Sequence, residues 1–187
     1  MAAPDIGTCL TAGVNGLKNN FVTHLICTIL VGVITNISFG LLAGPMMVGY
    51  MRLIKLEDEG CKPEIGDLFK GFDDFVPALL AVLLSSIAVG IGFALCVIPG
   101  LLIMALTPVA AYFVATGEKD GVNAIKRAWT VVKDNLIPAC LCTLIVGIVG
   151  CLGAILFGVV IFLTLPIAFI GMYHMAKQLT NGGTAAA

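Results

Sequence analysis

Residues 75–117, FVPALLAVLLSSIAVGIGFALCVIPGLLIMALTPVAAYFVATG, contain no Asp, Glu, Lys or Arg. Asp73-Asp74 stands before this run and Glu118-Lys119-Asp120 after it. One helical crossing of a bilayer takes about 20 apolar residues, so the run is long enough for two. Val97-Ile98-Pro99-Gly100 offers the break between them. A helix, a turn and a returning helix, with charge only at the two ends, predict a membrane hairpin.

Two further charge-free blocks flank this one, at Leu25–Met51 and Leu136–Ala176. The third breaks at Phe157-Gly158 or Pro166, the first at Phe39-Gly40 or Gly44-Pro45. The first block is shorter. Its returning arm must recruit Leu53, Ile54 and Leu56, with Arg52 and Lys55 snorkelling to the interface. Six membrane helices are therefore expected, the second short or tilted.

Composition agrees. The chain of 187 residues is 59% hydrophobic and only 11% charged, with a mean hydropathy of +1.08. A soluble domain carries roughly 25% charge. A net charge of −1 gives no polybasic or polyacidic signal, so no nucleic-acid partner is expected. Residues 1–20 lack the basic start and continuous apolar core of a cleavable signal peptide.

A short amphipathic segment precedes each hairpin. Ile6, Leu10, Val14, Leu17 and Phe21 recur every three to four residues. Ile65, Leu68, Phe69, Phe72 and Phe75 oppose Asp67, Lys70, Asp73 and Asp74. Val122, Ile125, Trp129 and Val132 oppose Lys126, Arg127 and Lys133. Such stripes suit helices half in lipid and half in water, and they fit equally well as connectors packed on the bundle. Phe69, Phe72, Trp129, Arg52, His24 and His174 are the expected membrane-interface residues. The predicted order, within one membrane domain of residues 1–180, is amphipathic 5–20, hairpin 21–56, amphipathic 63–74, hairpin 75–117, amphipathic 119–135 and hairpin 136–178. Residues 181–187 are expected to be a disordered tail.

The three blocks also look like a parallel repeat. Asn19-Asn20-Phe21-Val22 matches Asp73-Asp74-Phe75-Val76, and Phe75-Val76-Pro77-Ala78 resembles Leu136-Ile137-Pro138-Ala139. Every charged residue lies in the N-terminal segment, the two connectors or the C-terminal end, and none in a hairpin turn. An even number of crossings between charged segments puts all of them on one face. The positive-inside bias makes that face cytosolic, with both termini inside a prokaryotic cytoplasmic membrane.

Gly66-Asp67-Leu68-Phe69-Lys70-Gly71-Phe72, the Ile98-Pro99-Gly100 turn, and Ala124-Ile125-Lys126-Arg127-Ala128-Trp129 before Asp134-Asn135 carry a resemblance. The chain resembles uncharacterised bacterial six-helix inner-membrane proteins, similar to the membrane domain attached to some glycerophosphodiester phosphodiesterases. The likeness covers most of residues 10–178. It implies a six-helix bundle and no particular activity. Such proteins often place an arginine shortly after the proline-glycine turn, whereas Leu101–Val114 has no charge.

Chemistry is sparse. Ionisable groups at depth, on which proton relays and ion sites depend, are missing from the apolar runs except for His24 and His174. Those two lie at similar depth near the cytosolic interface, either as a pair or as separate histidines bonded to backbone or water. Asn36, Ser38, Ser85, Ser86, Thr107 and Thr143 could line a polar path or bond back to their own helices. Cys27, Cys96, Cys140, Cys142 and Cys151 sit in apolar runs, where cysteine acts as a small hydrophobe, and only Cys9 and Cys61 look accessible. No catalytic residue, metal site or cofactor is expected.

Small residues one turn apart mark expected helix-packing stripes: Gly40 and Gly44, Ser86 and Gly90, Gly147 with Cys151, and Gly150, Ala154 and Gly158. The function these features favour is a non-catalytic membrane scaffold or complex subunit. Its expected partners are membrane lipids and either further copies of itself or a larger complex. The alternative is a transporter or channel for a small neutral solute.

Overall fold

A computed structural model describes residues 5–95, 97–155 and 161–184, and among them the chain is all-α. The elements are α1 (Ile6–Asn19), α2 (Phe21–Ile37), α3 (Ala43–Asp58), a 3-10 helix (Ile65–Phe72), α4 (Phe75–Leu95), α5 (Val97–Ile103), α6 (Leu106–Ala115), α7 (Gly121–Asp134), α8 (Leu136–Ile155) and α9 (Ile161–Thr184). α9 extends the helix into the stretch expected to be disordered, through Thr184. The alternative break at Phe157-Gly158 lies outside the described residues.

α4, with 21 residues and a mean hydropathy of 2.4, is long and apolar enough to cross a bilayer unaided. α1 with α2, and α7 with the Leu136–Gly150 part of α8, pass the same test only as pairs, bent by 103° and 104°. The described residues thus hold one helix of crossing length, or up to three if each bent pair is one span, against the six expected. α3 and α6 fall short because 16 and 10 residues, at about 1.5 Å each, reach only about 24 and 15 Å.

The bends are built locally. α1 and α7 each have 14 residues, and each opens on an aspartate: Asp5 accepts from the Gly7 N–H at 3.0 Å, Asp120 from the Val122 N–H at 2.9 Å. Each closes on an asparagine outside helical geometry, Asn20 at φ −130° and Asn135 at φ −134°. Cys9, Gly13 and Leu17 form the buried stripe of α1; Ala124, Ala128 and Val132, at the same spacing, form part of that of α7. The following arms bury His24, Cys27 and Thr28, then Ala78, Ala81 and Val82, then Ala139, Cys142 and Thr143, again at one spacing. Cys9 is therefore buried rather than accessible, because it faces the bundle from this stripe; Cys61 is exposed as expected.

The segment at 63–74 is a 3-10 helix, where the sequence pattern suggested an α-helical stripe. Glu64 and Asp67 cap it reciprocally, the Glu64 N–H donating to Asp67 at 2.9 Å. Three residues per turn eclipse side chains three apart, so Phe69, Phe72 and Phe75 stack in one column at 6.3 and 6.2 Å.

The layers follow from burial. α3, α6 and α9 touch one another at the centre, where Tyr50 meets Phe169 at 4.8 Å and Tyr112 meets Tyr173 at 5.2 Å. α2, α4 and α8 lie outside them and expose apolar side chains: Val33 and Ile37, Leu83, Ile87 and Ile91, Leu141 and Ile148. Each charged segment packs on an inner helix: the 3-10 helix on α3, α7 on α6, and α1 on α9. The last contact joins the first helix to the final one and closes a ring.

Glycines make two of these contacts. A side chain at Gly49 would collide with the Leu68 carbonyl, and one at Gly71 with the Pro45 carbonyl. A Cβ at Gly13 would stand 2.7 Å from the Ile167 carbonyl, too close for any real one. Gly49→Ala is expected to cost at least about 1–3 kcal/mol through overpacking. Gly90→Ala, whose Cβ meets nothing within 4 Å, is expected to leave stability unchanged or slightly raised. Thermal unfolding of both variants in detergent checks this, and equal Tm values for the two would refute the packing role of Gly49.

Candidate functional site

The α1–α2 bend positions the most polar interior of the described chain. Asn20 ends α1, and His24 follows one turn into α2, so the two share a face. Tyr50 and Glu57, two turns apart on α3, face them. The His24 side chain is completely buried. Its Nε2 lies 2.8 Å from Glu57 Oε2 and its Nδ1 3.0 Å from the Tyr50 hydroxyl. Glu57 Oε1 accepts from Asn20 Nδ2 at 2.8 Å, and the Thr28 hydroxyl donates to the His24 carbonyl at 2.8 Å.

An ionised carboxylate only accepts, so Nε2–H of His24 donates to Glu57. In the neutral imidazole Nδ1 then accepts from the Tyr50 hydroxyl, and the ring is satisfied on both sides. Glu57 lies just past the expected end of the first hairpin. Burial alone would raise its pKa, but the bonds from His24 and Asn20 outweigh it and hold the carboxyl below its usual range. The network ties the bend to the inner helix and leaves none of these four side chains unpaired.

His174, on α9, packs edge-on against Tyr173 at 5.4 Å. It does not bond to His24. Both instead approach Glu57, His24 directly and His174 across a cavity of about 260 Å³. Asp58 and Ile170 line that cavity too, with Gly16 and Asn19 of α1. Asp58 pairs with Lys177.

Other expected residues separate by role. Arg52 joins two helix ends: it donates to Lys70 O at 2.5 Å and Val114 O at 3.5 Å, and pairs with Asp74. Phe69 and Trp129 are exposed, while Phe72 packs against the core. Of the packing glycines, a Cβ at Gly44 would stand 2.7 Å from the Ala78 carbonyl and one at Gly150 2.9 Å from the Ala168 Cβ. A Cβ at Gly40, Gly90 or Gly147 would meet nothing within 4 Å, and Ser86 faces outward, so among the described residues these positions make no close helix contact. Gly40 serves the first hairpin turn at φ +84°. Gly158 and the surroundings of Ala154 lie outside the described residues. Asn36, Ser38, Ser85 and Thr143 bond back to carbonyls of their own helices, which leaves no continuous path among them.

Sequence reading had missed Tyr50, Glu57 and Asn20. The signal was there in the spacing: Asn20 and His24 four apart, Tyr50 and Glu57 seven apart. Glu57 stands in the acidic run Glu57-Asp58-Glu59, which by itself gives no sign of an interior partner.

Among the described residues the chain is all-α, with one helix of membrane-crossing length, or up to three if each bent pair is one span. The chain belongs to the family described as a domain of unknown function, DUF7847, which matches residues 1–186. No curated protein and no solved structure matches it.

Tyr50→Phe leaves Nδ1 of His24 without its donor and is expected to cost about 1–3 kcal/mol. For Glu57 the sign follows from its depressed pKa. Its stabilisation is fully present above the unfolded value of about 4.3 and is lost as pH falls through the lower folded one. The stability gap between wild type and Glu57→Gln should thus be constant near neutrality and narrow below about pH 4. Detergent unfolding curves from pH 3 to 8 measure it, and a gap independent of pH would refute the assignment.

Proposed function

We propose that this chain is a multipass protein of a prokaryotic cytoplasmic membrane, with both termini and all three charged segments cytosolic. It acts as a non-catalytic scaffold or complex subunit. Three hairpins cross the bilayer in this reading, at residues 21–56, 75–117 and 136–178. The matched caps, bends and burial spacings of the three units are read as an internal parallel repeat. The likeness to membrane domains of some glycerophosphodiester phosphodiesterases fits the same architecture.

One observation carries the reading. The outer helices α2, α4 and α8 expose mostly apolar side chains, while the charged segments pack onto the inner helices. Water is a poor solvent for the first surface and lipid for the second. The segments also keep apolar edges exposed, at Val14, at Ile65 and Phe69, and at Val122 and Trp129. Those edges suit insertion in the headgroup region. With small turns on the other side, the molecule becomes a wedge that is wider at the cytosol. The space between α3, α6 and α9 is filled by Tyr50, Tyr173, Met46 and Met51, all buried. This speaks for a scaffold over the solute-carrier alternative.

Cys61 is exposed in the first connector. A membrane-impermeant maleimide should label it in inverted vesicles and not in intact cells, with Cys61→Ala as the control; the reverse pattern would invert the topology. Electron microscopy of overproducing cells should show membranes bent convex towards the cytosol or carrying ordered arrays. Flat membranes, a monomer in mild detergent and solute flux above empty liposomes would together overturn the scaffold.

A further inference from the structure

Two corners of the ring can be compared directly. On α3, Gly49 lies under the Leu68 carbonyl of the 3-10 helix, and three residues on, Arg52 reaches into the corner beyond. On α9, Gly171 lies under the Cys9 carbonyl of α1, its Cβ position 3.5 Å away, and three residues on stands His174. The Arg52 guanidinium fills its corner, bonded to Lys70 O, Val114 O and the Asp74 carboxylate. The shorter imidazole of His174 does not fill the other. There the cavity of about 260 Å³ remains, with the carboxylates of Glu57 and Asp58 in its wall.

We propose that this cavity binds a small organic cation bearing a guanidinium or primary ammonium group, in the place that Arg52 fills at the other corner. The wall carries two carboxylates, and no lysine or arginine lines it. Glu57 is held by His24 and Asn20, and Asp58 by Lys177. Each carboxylate oxygen accepts more than one bond, so acceptor capacity remains for a further N–H donor. Ile54 and Ile170 supply apolar wall for a short carbon stem. The same group can come from a free amine or from an ethanolamine lipid headgroup, since the α1 side of the cavity belongs to the segment placed at the membrane surface. The cavity belongs to the single folded chain and does not require assembly.

The test is thermal unfolding of the full chain in detergent. Methylguanidinium, ethylammonium and tetramethylammonium chlorides are compared at equal ionic strength. A separate arm compares micelles doped with phosphatidylethanolamine or phosphatidylcholine. Methylguanidinium or ethylammonium should raise Tm by several degrees and saturate; tetramethylammonium, which has no N–H donor, should not. A shift with phosphatidylethanolamine alone assigns the cation to the lipid. His174→Arg should raise the baseline Tm and abolish the shift by filling the cavity. Asp58→Asn, which keeps the shape and removes a charge, should weaken binding tenfold or more. No shift with any probe, an equal shift with tetramethylammonium, or an undiminished shift in both variants would overturn the proposal.

Discussion

A carbonyl oxygen seated against a bare glycine Cα holds two of the three charged segments to the inner helices. At Gly49 and Gly71 the 3-10 helix and α3 approach so closely that neither position can carry a side chain, and at Gly13 the same limit applies between α1 and α9. Close approach matters here for a reason specific to this composition. In the lipid setting proposed above, apolar side chains gain little by leaving lipid for one another, so contact between backbones has to supply much of the association. Once seated, the 3-10 helix covers α3 and α1 covers α9.

The His24 network serves the same end by a different force. A right-angle bend at Asn20 leaves helix-terminal groups and a polar side chain at the edge of the apolar layer, where unpaired groups are costly. His24, Tyr50, Glu57 and Asn20 satisfy one another across three helices. Glu57 can remain ionised there because its two donors are fixed by the start of α2 and the end of α1. The matching bend at Asn135 is followed by Ala139 where α2 has His24, and it carries no such network. Polar specificity has therefore been concentrated at one of two similar bends.

Much of this was legible from residue order. Charge-free runs locate the long helices, and the aspartate and asparagine flanking α1 and α7 mark their ends. The 3-10 geometry was not legible, because Ile65, Leu68, Phe69 and Phe72 fit a period of 3.6 nearly as well as one of 3.0. It becomes necessary only when Gly71 must meet the Pro45 carbonyl. Small-residue spacing misled for a related reason. Gly40 and Gly44 are one turn apart in sequence, yet the first is a turn residue with positive φ and only the second touches a neighbouring helix. Spacing shows which residues share a face, and does not show what that face meets. Glu57 was hidden because its partners come from another helix and are separated from it by more than 30 residues.

The ring closure sets an order on assembly. The 3-10 helix packs on α3, which precedes it, and α7 packs on α6, so each of these segments finds its support already made. α1 packs on α9, at the far end of the chain, with the Asp5 N–H on the Gln178 side chain at 2.8 Å. Its buried stripe of Cys9, Gly13 and Leu17 is therefore the last to be covered, after the longest loop closure in the molecule. The residues on that stripe are suited to waiting: a glycine and a cysteine expose little apolar surface, and Leu17 sits beside Lys18 at the end next to the bend. The cavity at Glu57 and Asp58 lies on this same late seam, between α1, α3 and α9. A cation there touches all three of the elements that close the ring, so its binding energy favours the closed arrangement over one in which α1 has lifted away.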